Sequence, residues 1–475
     1  MGRGGRLVGR RAMRAPAATV SQDLVAWAHQ LLLDDVPADV QRAACQHLLD
    51  GLGTALAAAR ARAAEPAVRV AAGLGGPAEA TILGSGTRVS APAAALANGT
   101  LLHTFDFDDT HAGGLVHATA AVLPSAFAVG EQTGADGAAV LRAAIAGYEA
   151  VCRIGAASPH GFHARAIHAT HACGVFSAAL IASLLTGASP AVTVDALGIA
   201  GSAAGGLLEF LNTGASTKQL HPGTAALSGI IAARLAAAGA SGPASVLEGD
   251  KGLFAALSAR PARPGLILNG LGTTWETTAI GIKPYPACQL LQATLDAVTA
   301  VLDDVAGPDQ VARVVADVHP DSAMIVCEPW PAKLRPRTAY DAKFSLPWSV
   351  AALLTDRAVE LATYSPDSIA RPAVVELSER VETRLTDGAG PAADAPGHVT
   401  VHLTDGRKLT GQVPGSRGTA RAPLSERDIV TKFVANCGGS AAAAELAEIV
   451  LTLATLASLR PVFELSRQIV EEQPA

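Results

Sequence analysis

The sequence predicts a mainly α protein: a large all-helical domain, a smaller α+β domain, and a helical return at the C-terminus. Three observations carry this. From Ser21 to about Gly270, apolar residues recur at helical spacing between Gly- and Pro-containing joints. After Gly270, β-branched runs and an alternating pattern take over. From Ser425 the helical pattern resumes and runs through Ala441–Leu459. A chain of 475 residues also exceeds one ordinary hydrophobic core, which favours two domains. The expected division is an extension over 1–18, a helical domain over 19–275 completed by 425–470, and an α+β domain over 276–424.

Taken in order, Ser21 is placed to cap a helix over Asp23–Leu33, and Pro37 suits the start of the next. In that second helix Val40, Leu48, Leu49, Leu52 and Leu56 fall on roughly one face. Joints at Gly73–Pro77 and Gly187–Pro190 separate Ala/Leu-rich helices, among them the apolar stretch Val175–Leu185, which reads as a buried helix. Val311, Val314, Val315 and Val318 mark a strand. Val399, Val401 and Leu403 alternate before Asp405-Gly406, and Lys408–Val413 resumes the strand pattern, predicting a hairpin with a two-residue type I′ turn. Helical runs are expected at Pro347–Leu354 and Asp356–Tyr364.

Composition excludes several classes. Lys+Arg 36 against Asp+Glu 42 leaves a net charge of −6, so no basic nucleic-acid footprint exists. An aromatic share of 4% argues against a base-stacking platform. The uncharged stretch around Ala166–Val194 contains His, Thr, Ser and Pro190, which disfavours a membrane span. Six cysteines lie far apart without any CxxC, which fits isolated thiols in a reducing cytoplasm. Residues 1–15 carry five arginines and no acid. That is the charge of a transit peptide, but Ser is absent and no amphipathic face develops, so the stretch reads as a disordered extension.

Candidate chemistry gathers in the helical part. Eight of the 13 histidines fall between residues 103 and 221, and histidine exchanges protons near neutral pH. The densest group is His103-Thr-Phe-Asp106-Phe-Asp108-Asp109-Thr110-His111, with His117 downstream. On a helix or its end, Asp106, Asp109 and Thr110 would share a face. Carboxylates so close require protons, cations or backbone donors. Three readings are open at this point: an acid/base site for an organic acid, a magnesium–diphosphate cluster, or a solvated acidic turn. The diphosphate reading needs a second metal motif and an aromatic-lined cavity, and neither is visible. Two cationic motifs follow, Thr217-Lys218-Gln-Leu-His221-Pro-Gly and Lys283-Pro-Tyr285-Pro-Ala-Cys288. Lysines in apolar, Pro-locked surroundings imply a carboxylate partner.

These motifs, together with His168-Ala-Thr-His-Ala-Cys-Gly174-Val-Phe, Leu207-Leu-Glu-Phe and Asp341-Ala-Lys-Phe-Ser-Leu-Pro347, resemble the MmgE/PrpD family. That family contains 2-methylcitrate dehydratase, cis-aconitate decarboxylase and iminodisuccinate epimerase. The resemblance implies a large helical domain with an α+β lid, no metal, no organic cofactor, and a homodimer. Carried over by motif, it implies catalytic roles for Asp106, Thr110, His117 and His168, and substrate contacts from Lys218 and Lys283. His221, His163, Tyr285 and Cys288 are further substrate-binding candidates, His163 also being a rival to His168. Two departures bear on substrate: His117-Ala-Thr-Ala stands where the family commonly has His-Pro-Ser, and Cys288-Gln289 and Gln292 stand where relatives often place histidines or other polar residues. The expected function is a cofactor-independent lyase on a small di- or tricarboxylate, of the 2-methylcitrate dehydratase or cis-aconitate decarboxylase kind. The alternatives are an epimerase of the iminodisuccinate type and a non-catalytic carboxylate-binding relative. Lys218 and Lys283 are expected to grip substrate carboxylates from opposite walls.

Overall fold

A computed structural model describes residues 18–472; the Arg-rich stretch 1–15 lies outside the described residues. The fold is mainly α, as the sequence predicts. Its centre is the helix Ala169–Leu185, buried along nearly its whole length. Around it pack the helices Ala118–Thr133, Gly137–Ala156 and His221–Ala237. Small residues make this layering possible. A Cβ built on Gly229 would lie 2.6 Å from the Val175 carbonyl oxygen, and one on Gly99 would lie 2.6 Å from Gly223 Cα. Backbones that approach so closely leave no room for larger side chains, which is why the chain is so rich in Ala and Gly.

Buried apolar residues form two cores. One takes side chains from Leu24 to Ile282 and again from Ile429 to Ile469. The other takes Tyr285 to Leu403 together with Leu115 and Phe210. The C-terminal helices therefore return to the first core: Glu426–Asn436, capped by Ser425, lies along Ala38–Arg60. The second core sits under a four-stranded sheet in the order Val381–Leu385, Val311–Val318, Gly397–Leu403, Lys408–Val413. The first pair is parallel and the other two are antiparallel. Among the described residues, no helix is long and apolar enough to cross a membrane.

Three local expectations are corrected. Thr19, not Ser21, caps the first helix, which spans Val20–Gln30; Thr19 and Gln22 close a reciprocal capping box and leave Ser21 buried inside. The hairpin turn has three residues, not two. Leu403 N–H donates to the Arg407 carbonyl, and Gly406 alone takes a positive φ, so the loop is a type I turn closed by a left-handed glycine. The run Asp356–Tyr364 is not a helix. Arg357 turns left-handed and ends the preceding helix Leu346–Asp356, and only the short 3-10 turn Leu361–Tyr364 follows.

Candidate active site

The site is assembled from helix ends. His117 and His168 are the N-cap residues of Ala118–Thr133 and Ala169–Leu185, and His221 opens the helix His221–Ala237. Their rings are neighbours: the centroids of His117 and His168 lie 5.8 Å apart and those of His168 and His221 5.2 Å apart. Three helix N-termini thus converge, and their aligned N–H dipoles favour negative charge. Lys218 stands just before the third of these helices, in the turn Thr217–Leu220.

Asp106 enters differently from the expected helical face. The helix Ala91–His103 ends before it, and Asp106 itself takes φ +51°, turning the chain back. The segment then forms a short strand, Thr110–His111, paired with Ile280–Gly281. That pairing brings Lys283, two residues beyond Gly281, onto Asp106. The three acidic side chains diverge as a result. Asp106 meets the lysines, Asp108 accepts from His103 Nδ1 at 2.8 Å, and Asp109 accepts from the Thr119 N–H and hydroxyl.

Lys218 Nζ and Lys283 Nζ each donate to the same oxygen, Asp106 Oδ1, at 2.9 Å. Opposite walls are thereby ruled out for the two ammonium groups. Lys283 is fully buried and also donates to the Asp106 carbonyl, whereas Lys218 lines the cavity. Burial alone would raise the Asp106 pKa, but the two ammonium charges outweigh it and hold the carboxyl well below the usual range. Lys283 in turn is raised by Asp106 against the opposing effect of burial.

His117 Nδ1 donates to the Asp109 carbonyl at 2.9 Å and also lies 3.1 Å from Thr110 Oγ1. This fixes the tautomer, leaving Nε2 as a lone pair that accepts from Lys218 Nζ at 3.3 Å. His168 Nδ1 lies 3.1 Å from His221 Nδ1, and its buried Nε2 has no hydrogen-bond partner among the described residues. Burial first, and then Lys218, depresses the pKa of both His117 and His168, so both rings are neutral bases. Burial likewise brings His163 and His221 down to about 3.

Of the ten candidate residues, His117, His168, His163, Lys218 and Cys288 line one cavity. Asp106, Thr110, His221 and Lys283 touch that set from behind. Tyr285 does not belong: its hydroxyl faces Asp296 at 2.9 Å and accepts from Arg417. The cavity is closed by Leu115, Leu208, Phe210 and Leu211 on one side and Leu290, Ile325 and Phe344 on the other. A wider groove, lined by Phe107, Arg417 and Lys432, runs behind the Asp106 turn and contains none of the histidines; the candidate residues gather at the smaller cavity.

Sequence reasoning passed over His103. Its Nδ1 is held by Asp108, its buried Nε2 has no hydrogen-bond partner among the described residues, and its ring lies 4.8 Å from His117 and 5.7 Å from His168. The available signal was the His103-x4-Asp108 pairing inside the densest motif. Two sets, His103–His117–His168 and His103–Asp106–Asp108–His117, bring ligand atoms within 4.8 Å of one another. Lys218 Nζ, however, already occupies His117 Nε2, and two ammonium groups share Asp106 Oδ1, which opposes a cation there.

A helical domain thus brings histidines and Lys218 together at converging helix ends, facing an α+β domain that adds an apolar wall. The match to known sequences is specific. The MmgE/PrpD N-terminal domain is recognised over residues 22–264 and the MmgE/PrpD C-terminal domain over 285–455, and the chain belongs to this family. Similar proteins include a cis-aconitate decarboxylase of Aspergillus terreus, 28% identical over 94% of this chain and 95% of that one. The cis-aconitate decarboxylase-like protein oryM of Aspergillus oryzae is 26% identical over 88% and 90%. Human cis-aconitate decarboxylase is 29% identical over 72% of each chain.

Proposed function

We propose that the protein is a lyase that decarboxylates cis-aconitate or a close analogue by proton transfer within this cavity, without a metal or organic cofactor. The observation that carries this is Lys218, held between Asp106 Oδ1 and His117 Nε2 at the edge of a pocket whose other lining is three histidines and a mainly apolar wall. An incoming carboxylate takes over the Lys218 ammonium, which frees the His117 lone pair. Loss of CO2 breaks a carbon–carbon bond and leaves the electron pair delocalised onto the remaining carboxylates. The converging helix N-termini and Lys218 stabilise that charge, and one proton, taken up from solvent by the neutral histidine set and passed on to carbon, completes the balance. Apolar walls favour the step, since a charged carboxylate becomes neutral CO2. The similarity to cis-aconitate decarboxylases over most of the chain supports this over the 2-methylcitrate dehydratase reading.

The test is incubation of purified protein separately with cis-aconitate, 2-methylcitrate and iminodisuccinate, followed by proton NMR. Itaconate with stoichiometric CO2 is expected from the first. Water loss from 2-methylcitrate, or exchange and epimerisation of iminodisuccinate, with cis-aconitate untouched, would replace the proposal by the corresponding activity. Binding of all three acids with turnover of none would mark a non-catalytic relative.

A further inference from the structure

Behind the Asp106 turn lies a second buried ion pair that takes no part in the chemistry described so far. Lys432, on the returning helix Glu426–Asn436, places Nζ 2.6 Å from Asp50 Oδ1, and Asp50 stands on the helix Ala38–Arg60. The same Nζ donates to the Phe107 carbonyl at 2.9 Å and to the Lys283 carbonyl at 2.9 Å, and it sits 3.8 Å from the centre of the Phe107 ring. A lysine ammonium has three N–H groups; here two go to main-chain carbonyls, and the charge as a whole pairs with the Asp50 carboxylate, so three acceptors surround it. Two of these acceptors are the main chain beside Asp106 and that of Lys283 itself, the two partners of the inner ion pair. The close approach of the helices is built in: a Cβ on Gly53 would lie 2.8 Å from the Phe433 ring, so only glycine lets Lys432 come this near to Asp50.

We propose that Lys432, anchored by Asp50, is a positioning residue that fixes the Asp106 turn against the Lys283 segment, so that the C-terminal helix completes the reacting site from behind. The inference rests on the proposed function only in placing Asp106 and Lys218 at the reacting end. Burial lowers the Lys432 pKa and raises that of Asp50, while each charge opposes this in the other, the pattern of a pair kept for geometry. Four chain segments distant in sequence meet at this one nitrogen.

The test removes both charges together, since a lone buried charge would simply unfold the protein. The double variant Asp50→Leu/Lys432→Met is expected to melt close to wild type. Its kcat on cis-aconitate should fall by about 100-fold, the usual result of displacing a catalytic group by about 1 Å, with a smaller rise in KM. Its crystal structure should show the Asp106 carboxylate shifted relative to Lys218. Wild-type kcat together with an undisplaced Asp106 would overturn the proposal. If the double variant does not fold, Lys432→Arg carries the test. It keeps a charge for Asp50, but its planar guanidinium does not present three donors from a single nitrogen, and the same loss of kcat is expected. If the wild-type protein turns over none of the acids, the proposed function fails, and the crystallographic displacement of Asp106 alone decides the positioning role.

Discussion

Where the helical domain meets the cavity it offers His117, His163, His168 and Lys218; where the second domain meets it, it offers Leu290, Ile325 and Phe344, with Cys288 and Gln289. The first set brings three titratable rings and an ammonium group, beside the apolar Leu115, Leu208, Phe210 and Leu211. The second excludes water and shapes the space, and burial pushes its thiol pKa up, so Cys288 stays protonated. Under the proposed function, the titratable groups come from one part of the chain and much of the apolar wall from the other. Substitutions on the two sides should fail in different ways.

The largest effect is expected from the helical side at Lys218. Lys218→Met removes a partner from buried Asp106 and the donor to His117 Nε2. If the loss of a buried charge partner, about 3–5 kcal/mol, is felt in the transition state, kcat/KM should fall by ~10²- to 10³-fold or more. Lys283→Met should lose as much, through Asp106 rather than through substrate contact. Steady-state kinetics with both variants within about twofold of wild type would refute the placement, since even one charged hydrogen bond contributes more than that.

The same asymmetry predicts which domain acid attacks first. His47 and His171 are held at about 4 and His221 at about 3, by burial above all, and all three belong to the helical domain. Their folded pKa values lie below the unfolded value of about 6.5. Between those limits the unfolded state binds more protons, so stability is complete above pH 6.5 and declines as pH falls toward 3. Each such histidine contributes a slope approaching about 1.4 kcal/mol per pH unit. Urea unfolding at pH 7.5 and 5.0 should show the helical-domain tryptophans, Trp27 and Trp275, losing stability before the lid pair, Trp330 and Trp348. Equal loss in both domains would contradict this.

Next in size are the histidines. His117→Ala and His168→Ala should each lower kcat by ~10²-fold, the usual worth of a general acid–base group, with folding retained. His163→Ala is the comparison variant, because its ring lines the cavity but only meets His168 edge-on at 6.1 Å. An inactive His163 variant beside an active His168 variant would exchange their roles.

How much of this was legible before any coordinates depends on what kind of contact is involved. The helix Ala38–Arg60, although buried on every side from His47 to Ala58, and the reversal of pattern after Gly270 are both visible in the local pattern of the sequence. Asp106, His117, His168 and Lys218 stand in dense motifs of titratable residues, so the site's members were visible as well. Their partners were not. That two lysines 65 positions apart share one carboxylate oxygen depends on the Thr110–His111 pairing with Ile280–Gly281, a contact no periodicity encodes. Tyr285 follows its motif yet turns to Asp296, because the outward register of that segment is set by the second core. His103 looked like one more histidine until its Nε2 was seen buried with no hydrogen-bond partner among the described residues. The apolar wall draws on isolated residues such as Ile325 and Leu290, whose spacing carries no signature, and on Phe344, whose motif gave no hint that its ring faces the cavity.

The smallest effect, and the one that sharpens the comparison most, belongs to that wall. Phe344 packs edge-on against Phe210 at 5.7 Å, across the boundary between the domains, and lies 5.2 Å from Lys218 Nζ. Phe344→Leu trims the wall without adding a polar group, and Ile325→Val removes one methyl. Neither touches a proton-carrying group, so kcat on the best substrate should change by less than about threefold. KM should rise by up to about tenfold, the worth of one or two methylene-sized contacts in an apolar pocket. The ratio of kcat/KM between cis-aconitate and a bulkier alkyl-substituted analogue should move in favour of the analogue, because space has been opened on the side that carries no charge. Competition assays with the two acids in one tube read that ratio directly. A fall in kcat as deep as that of His117→Ala, with the ratio unchanged, would mean that the lid takes part in the chemistry and that the division between the two sides does not hold.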